Sequence, residues 1–260
     1  MKIVSSEQMR NIEKQANESG LNYEQMMINA GRNLAKTVVD HYGFLEEKIA
    51  VGLIGPGNNG GDTLIALQEL AKAGWKTIAY LFKERDADDS LLRGLVNAGG
   101  EWINAVEDKG FRQLDAILLQ TAILLDGVLG MGFRIPLKPE IAEILQRVKR
   151  YVVKNPETLH VVAVDCPSGV DCSSGAVSAE SLPAEITVCM AAVKEGLLKF
   201  PAFELVGELA VVDIGLDPKM PGWSEIQTEL ADLNTVKEKL PVRRANAYKN
   251  TFGKGDRKSV

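Results

Sequence analysis

Three stretches of this chain carry side chains able to do chemistry, and each begins where a strand-like apolar run stops. Residues 55–62 (GPGNNGGD) follow the run Ile49–Ile54, residues 126–134 (DGVLGMGFR) follow residues 116–125, and residues 165–171 (DCPSGVD) follow residues 159–164. The glycines of the first stretch let bare backbone N–H groups approach a ligand. Helical spacing starts at once in Leu64, Leu67 and Ala71, so the positive end of a helix is aimed at the same place. Strand, glycine loop and helix form the entry unit of a nucleotide-binding α/β domain. Asn58 and Asn59 add amides to that loop, and Asp62 is placed to cap the helix by accepting from the N–H of Leu64 or Ile65. Gly55, Gly57 and Gly60 satisfy G-x-G-x-x-G, a weak signal by itself. Two amides and a carboxylate suit a hydroxyl-rich or cation-containing site better than bare pyrophosphate. The plainer alternative, a tight turn and a helix cap, needs fewer glycines than are present.

Asp165 directly follows the apolar run HVVAV. A carboxylate at the mouth of a buried strand is costly unless a ligand or partner compensates it. Its uses are catalysis or ligand contact on one side, and acceptance of N–H bonds from its own loop on the other. Asp126 divides between cation ligand and turn acid. Ser168 offers an oxygen rather than a nucleophile, because neither His41 nor His160 lies near it in sequence and G-x-S-x-G is absent. Asp171 reads as a turn residue and Cys166 as a packed thiol with no base beside it. Asn59, Asp126 and Ser168 form a hard oxygen set. One carboxylate among neutral oxygens suits a monovalent cation better than Ca²⁺ or Mg²⁺, although spacing alone does not place an ion.

The elements that must position these groups follow from periodicity. Ser5 and Gln8 have capping-box spacing before the stripe Met9, Ile12 and Ala16, which ends at Gly20. Asn22 is placed to cap a second helix with Met26, Ala30, Leu34 and Val38 on one face and Gly43 at its end. Asn29, Ala30 and Gly31 allow close backbone approach there, and Met26 and Met27 read as core filler. Strands are predicted over residues 77–82, 102–106, 116–125, 159–164, 186–192 and 209–214, and helices over 90–98 and 139–153. This alternation predicts an α/β fold of three layers, Rossmann-like, with a mostly parallel central sheet and helices on both faces. Ligands of open α/β sheets bind beyond the carboxyl ends of the strands, so the three polar stretches should converge on one cleft. From Asp217 onward Pro218, Pro221, Gly222 and Pro241 break regularity, and residues 242–260 are basic and poor in apolar side chains. Residues 1–216 are therefore expected to form the domain and residues 217–260 a linker or tail.

With 260 residues, 45% hydrophobic and 25% charged, the chain can bury one sizeable core plus a small appendage. A net charge of -5 argues against broad binding of nucleic acid or anionic membrane. No apolar run approaches about 18 residues, so no transmembrane helix is expected. The opening MKIVSSEQMRNIEKQ turns polar too early for a signal peptide. Cys166, Cys172 and Cys189, without C-x-x-C, are expected to be reduced thiols of a cytoplasmic protein. Two histidines argue against a His-based metal site.

Taken together, GPGNNGGD at 55–62, DGVLGMGFR at 126–134 and VDCPSGVD at 164–171 resemble the NAD(P)H-hydrate epimerase domain, the N-terminal half of the bifunctional nicotinamide-nucleotide repair enzyme. The resemblance extends to Asn29-Ala30-Gly31, Lys194-Glu195-Gly196-Leu197 and GELAVVDIGL at 207–216, in register over residues 1–216. It implies a Rossmann-like homodimer that equilibrates the R and S hydrates of NADH and NADPH. By position, Asn58, Asn59, Gly60, Gly61 and Asp62 would contact substrate, as would Gly130, Met131, Gly132, Phe133, Arg134, Ile135 and Pro136. Asn59, Asp126 and Ser168 would bind K⁺, and Asp165 would sit at the reacting ring. Thr63 stands where the family commonly has glycine and is expected to narrow the pocket; Cys166 replaces isoleucine, and Ile28 replaces a glutamate. RRANAYKNTFG at 243–253 resembles the opening of the ADP-dependent dehydratase domain of the fused enzyme, which is expected to be truncated here.

The implied chemistry is acid/base. Ring nitrogen expels a hydroxyl from the adjacent carbon once that hydroxyl is protonated, and water returns to the planar cation on either face. Asp165 is the candidate acid/base and the anion facing the cation. Lys194 either assists electrostatically or is a solvated surface lysine. A NAD(P)-dependent dehydrogenase shares the strand-loop-helix entry but wants a ribose-binding acid at the next strand end; Glu84 is far for that, with Lys83 and Arg85 beside it. A hydride-transfer assay separates that alternative. A catalytically silent nucleotide-binding module would bind a nucleotide and leave R hydrate unchanged.

Overall fold

The computed structural model describes residues 1–86, 88–231, 233–240 and 246–248. The chain runs β1 (Ile3–Val4), α1 (Ser6–Glu18), α2 (Tyr23–Tyr42), β2 (Ile49–Ile54), α3 (Asn58–Lys72), β3 (Lys76–Leu81), α4 (Ser90–Asn97) and β4 (Glu101–Asn104). It continues through α5 (Arg112–Leu118), β5 (Ile123–Gly127), α6 (Pro139–Lys154), β6 (His160–Val164), β7 (Ile186–Met190), β8 (Val193–Lys194), β9 (Glu208–Val212), α7 (Pro221–Ser224) and α8 (Leu233–Lys239). Seven strands form one parallel sheet in the order β4-β3-β2-β5-β6-β7-β9, and β1 pairs with β8 apart from it.

The sheet is buried on both faces, as a parallel sheet requires. Along β2, Ala50 and Ile54 point to one core with Leu64 and Leu67 of α3, Leu34 of α2 and Leu92 of α4. Val51 and Leu53 point to the other, with Leu114 of α5 and Leu145 and Val148 of α6. The three-layer architecture read from the alternation is the one observed. Chain order runs outward from β2 to β3 and β4, then restarts at β5 on the other side of β2 and runs to β9. The loops leaving β2 and β5 therefore diverge, and a crevice opens between them. Gly55 sits at that divergence: a Cβ there would strike the Val128 backbone carbonyl. Gly55→Ala is expected to cost on the order of 3 kcal/mol, read by denaturant unfolding, because backbone cannot move aside as a side chain can.

α1 carries the capping box, with Ser5 accepting from Gln8 N–H and Gln8 Oε1 accepting from Ser5 N–H. Asn22 caps α2 through Gln25 N–H. Two boundaries differ from expectation. The predicted strand over 116–125 is instead the end of α5, a turn and β5. Leu114 and Leu118 fill the second core at helical spacing, and a continuous apolar run does not distinguish a buried strand from a helix followed by a strand. The chain past Asp217 stays on the domain as far as Leu230: Met220 is buried, and Lys2 Nζ donates to the carbonyls of Trp223 (2.6 Å) and Ile226 (3.0 Å). The dehydratase-like segment over 243–253 lies mostly outside the described residues. Among the described residues no helix is long and apolar enough to cross a membrane.

Candidate active site

The helix after β2 starts earlier than its sequence suggests. α3 begins at Asn58 with Gly57 as its N-cap, and no side chain caps it. Asp62 is therefore inside the helix rather than at its cap. Gly60 and Gly61 argue against a helix by propensity, yet tertiary contact demands them: a Cβ at Gly60 would meet the Gly55 carbonyl, and one at Gly61 would meet Met27. The first turn thus lies tightly against the loop leaving β2, with its N–H groups toward the crevice.

That crevice is a cavity of about 490 Å³. Asn58, Asn59, Asp62, Gly130, Met131, Gly132, Phe133 and Asp165 all line it. Gly60 and Gly61 are buried behind its wall, while Arg134, Ile135 and Pro136 run outward to solvent. Asp126 and Ser168 lie beneath it, fully buried and bonded to each other: Ser168 N–H (2.8 Å) and Oγ (2.5 Å) both donate to the Asp126 carboxylate. Asn59 ties the layers together, its Nδ2 donating to the carbonyls of Val164 (2.6 Å) and Leu129 (3.3 Å). Burial holds the Asp126 carboxyl above its ordinary value despite the Ser168 and Val128 donors. Thr63 does not narrow the pocket. It is fully buried, its hydroxyl donating to the Asn59 carbonyl (2.6 Å) on the side of α3 that packs on Gly52 and Gly127.

Asp165 is held in a conformation few residues adopt. Its φ is +65°, in the left-handed region, and Ala191 after the neighbouring β7 has φ +62°. Each costs about 1–3 kcal/mol unless its surroundings over-determine it. The kinks lie just past the paired ends of β6 and β7, where Asp165 Oδ1 accepts from Met190 N–H (2.9 Å) and pairs with the Lys194 ammonium. Lys194 is 1% exposed and also donates to the Met190 carbonyl (3.1 Å), so it is no surface lysine. Burial is the strongest single influence and opposes its charge, but the Asp165 carboxylate and the neighbouring Cys189 and Cys172 together hold the ammonium above the ordinary lysine value. Oδ2 of Asp165 has no protein partner among the described residues and is left to the cavity.

Sequence reasoning missed the contribution of α1. Arg10 and Glu13 line the same cavity, and Arg10 Nη2 donates to the Met131 carbonyl (3.1 Å) in the glycine loop. A signal was present. Glu13 stands one turn after Met9 and beside Ile12, on the stripe that is otherwise apolar. Burial pushes the Glu13 carboxyl up, with Asp165 adding to the rise and Lys194 opposing it. Cys166, Cys172 and Cys189 are unpaired and buried beneath the site, and burial pushes the Cys189 thiol up to about 12. The arrangement can protonate, deprotonate and stabilise a cation; it has no activated nucleophile.

The family described as YjeF-related protein N-terminus matches residues 23–196. A bifunctional NAD(P)H-hydrate repair enzyme of Salinibacter ruber is 33% identical over 254 residues, covering 91% of this chain and 45% of its own. An NAD(P)H-hydrate epimerase of Dehalogenimonas lykanthroporepellens is 33% identical over 215 residues, covering 81% of this chain and 80% of its own. The chain thus spans about half the length of the bifunctional relatives it matches. The crystal structure of yeast ynu0 (YNL200c) superposes with a TM-score of 0.66 at 22% identity, covering 81% of this chain and 87% of that one, a likeness of fold. By the match to residues 23–196 and the identity it shares with its relatives, the chain belongs to the YjeF-related protein N-terminus family.

Proposed function

We propose that this chain is an isomerase of nicotinamide-nucleotide repair that equilibrates the R and S epimers of NADH and NADPH hydrates. The observation that carries it is the buried Asp165–Lys194 pair on the wall of a cavity at the switch point of the sheet. The names of the relatives supply the substrate. The hydrate carries its hydroxyl on the carbon next to ring nitrogen. Loss of that hydroxyl gives a ring cation, and an anion held without solvent reorganisation stabilises it. Asp165 faces the ring with Oδ2 and takes the proton of incoming water. Lys194 supplies the counter-charge paired with Asp165. The first turn of α3 and the loop from Gly130 through Phe133 hold the rest of the dinucleotide, so that remote binding orients the ring.

K⁺ is part of this proposal. Asp126 is fully buried, makes no ion pair among the described residues, and is answered only by neutral donors. A carboxylate so placed calls for a cation, and neutral oxygens beside it suit a monovalent one. The residues present fit, with Asn59, Asp126 and Ser168 as the holders. When bound, the ion would compensate the charge of Asp126 under the substrate loop. K⁺ at about a hundredfold over its Kd is expected to add about 2.7 kcal/mol to stability. Thermal unfolding in KCl against choline chloride at equal ionic strength reads this, and Asp126→Asn should abolish the difference. Equal melting of the wild type in both salts would remove the ion from the site.

Chiral chromatography of purified R hydrate tests the activity itself. Conversion to the R/S mixture is expected; binding without conversion would leave the silent module. The homodimer that the resemblance implies is read by sedimentation, and a cytoplasmic location by fractionation. The longer relatives carry a further half, which the proposal takes to be the dehydratase.

A further inference from the structure

Asp62 is a buried acid with nothing to hold. It is 7% exposed and stands between the main cavity and an adjoining one of about 360 Å³, lined by Tyr23, Met26, Met27 and Leu91 among others. Its carboxyl accepts no hydrogen bond and makes no ion pair among the described residues. The other two aspartates of the site each have protein partners: Asp126 accepts from Ser168, and Asp165 Oδ1 accepts from Met190 N–H and pairs with Lys194. A carboxylate buried without donors is costly, so the form open to Asp62 is the neutral acid with its proton available to the cavity. The charged groups around it are Arg10 and Glu13 from α1, Glu24 from α2, Asp165 after β6 and Lys194 on β8. Burial raises its pKa well above the ordinary carboxyl range, Asp165 and Glu13 raise it further, and Lys194 opposes them.

We propose that Asp62 is the proton donor to the departing hydroxyl, and that Asp165, paired with Lys194, is the separate group that receives the proton of the returning water. This rests on the epimerase reading given above. A carboxyl buried without donors and a carboxyl paired with an ammonium can divide the acid and base roles between them. In the first half-reaction the ring-nitrogen lone pair becomes the π pair of a C=N bond. The C–O bond breaks toward oxygen, which takes the proton of Asp62 and leaves as water. In the second half, a water lone pair forms the new C–O bond and the π pair returns to nitrogen. The surplus proton passes to Asp165. Proton exchange through water in the open cavity then restores both groups, and no atom changes oxidation state overall.

The test uses the full chain and purified R hydrate. Wild-type exchange must first be measurable; if it is absent the epimerase reading fails, and the role of Asp62 falls with it. Given exchange, Asp62→Asn is expected to lower kcat by about 100-fold or more while KM stays within about threefold. Asp62→Glu, which keeps a proton to give, should recover part of the rate. A kcat within threefold of wild type in Asp62→Asn overturns the proposal. So does a raised KM with kcat intact, which is the signature of a substrate-holding group. Should Asp62→Asn not fold, carboxyl ¹³C titration of the wild type, assigned through Asp62→Glu, decides: a protonated Asp62 at neutral pH supports the donor, and an ionised one overturns it.

Discussion

Asp165→Asn is expected to leave a folded protein that still binds NADH hydrate and to slow R-to-S exchange by about 10²–10⁴-fold. The amide keeps the shape of the side chain and can still accept from Met190 N–H through Oδ1. It loses the negative charge that faces the ring cation and cannot take a proton from water. The substitution also leaves the Lys194 ammonium buried without its carboxylate. In the wild type that ammonium is held above the ordinary lysine value. Its contribution is whole below the unfolded lysine value and is lost only as pH rises through the higher folded one. In the variant, burial becomes the dominant influence on it and drives the folded value down. The unfolded state then binds the extra proton, so stability should rise with pH between the two values, toward the ordinary lysine range near about 10. Thermal unfolding across that range checks the sign, and chiral chromatography checks the rate. An unchanged exchange rate would take Asp165 out of the chemistry.

The convergence of Asn59, Asp126, Asp165 and Ser168 on neighbouring strand ends was legible because strand alternation implies a parallel sheet, and a parallel sheet puts its loops at one end. What topology does not encode stayed hidden. Asp165 and Lys194 are 29 residues apart along the chain, and they meet where Asp165 and Ala191 take left-handed backbone. No periodicity announces such a kink. α3 starts earlier than propensity predicts for a related reason: two glycines lower helix propensity, and only the contacts with Gly55 and Met27 show why they are there. Arg10 and Glu13 are a different case. Their helix is amphipathic by spacing, and the acid on its apolar stripe is a signal of its own, because a charge on a buried face is the more informative observation. Thr63 shows the converse error, since proximity in sequence to the glycine loop says nothing about which side of α3 a residue takes.

Lys194→Met is expected to cost about 3–5 kcal/mol, because it leaves the Asp165 carboxylate, 5% exposed, without a counterion. Lys194→Arg should not restore it. A guanidinium brings five donors, and the lysine finds only the Asp165 carboxylate and the Met190 carbonyl in a fully buried place. The double variant Asp165→Asn/Lys194→Met should recover most of the lost stability while remaining inactive, since a buried pair replaced by neutral groups of similar volume is often no less stable than the pair itself. Denaturant unfolding of the two single variants and the double one gives the coupling, which should be favourable by more than about 1 kcal/mol. A single-variant loss below that value would mean that Asp165 finds another partner or gives up its charge without cost. The asymmetry between the single and double variants is the decisive part. Were the pair present for stability, removing both members should cost at least as much as removing one. If removing both costs less, the protein keeps a buried charge that the fold does not need, and the cavity it faces is the remaining reason for it.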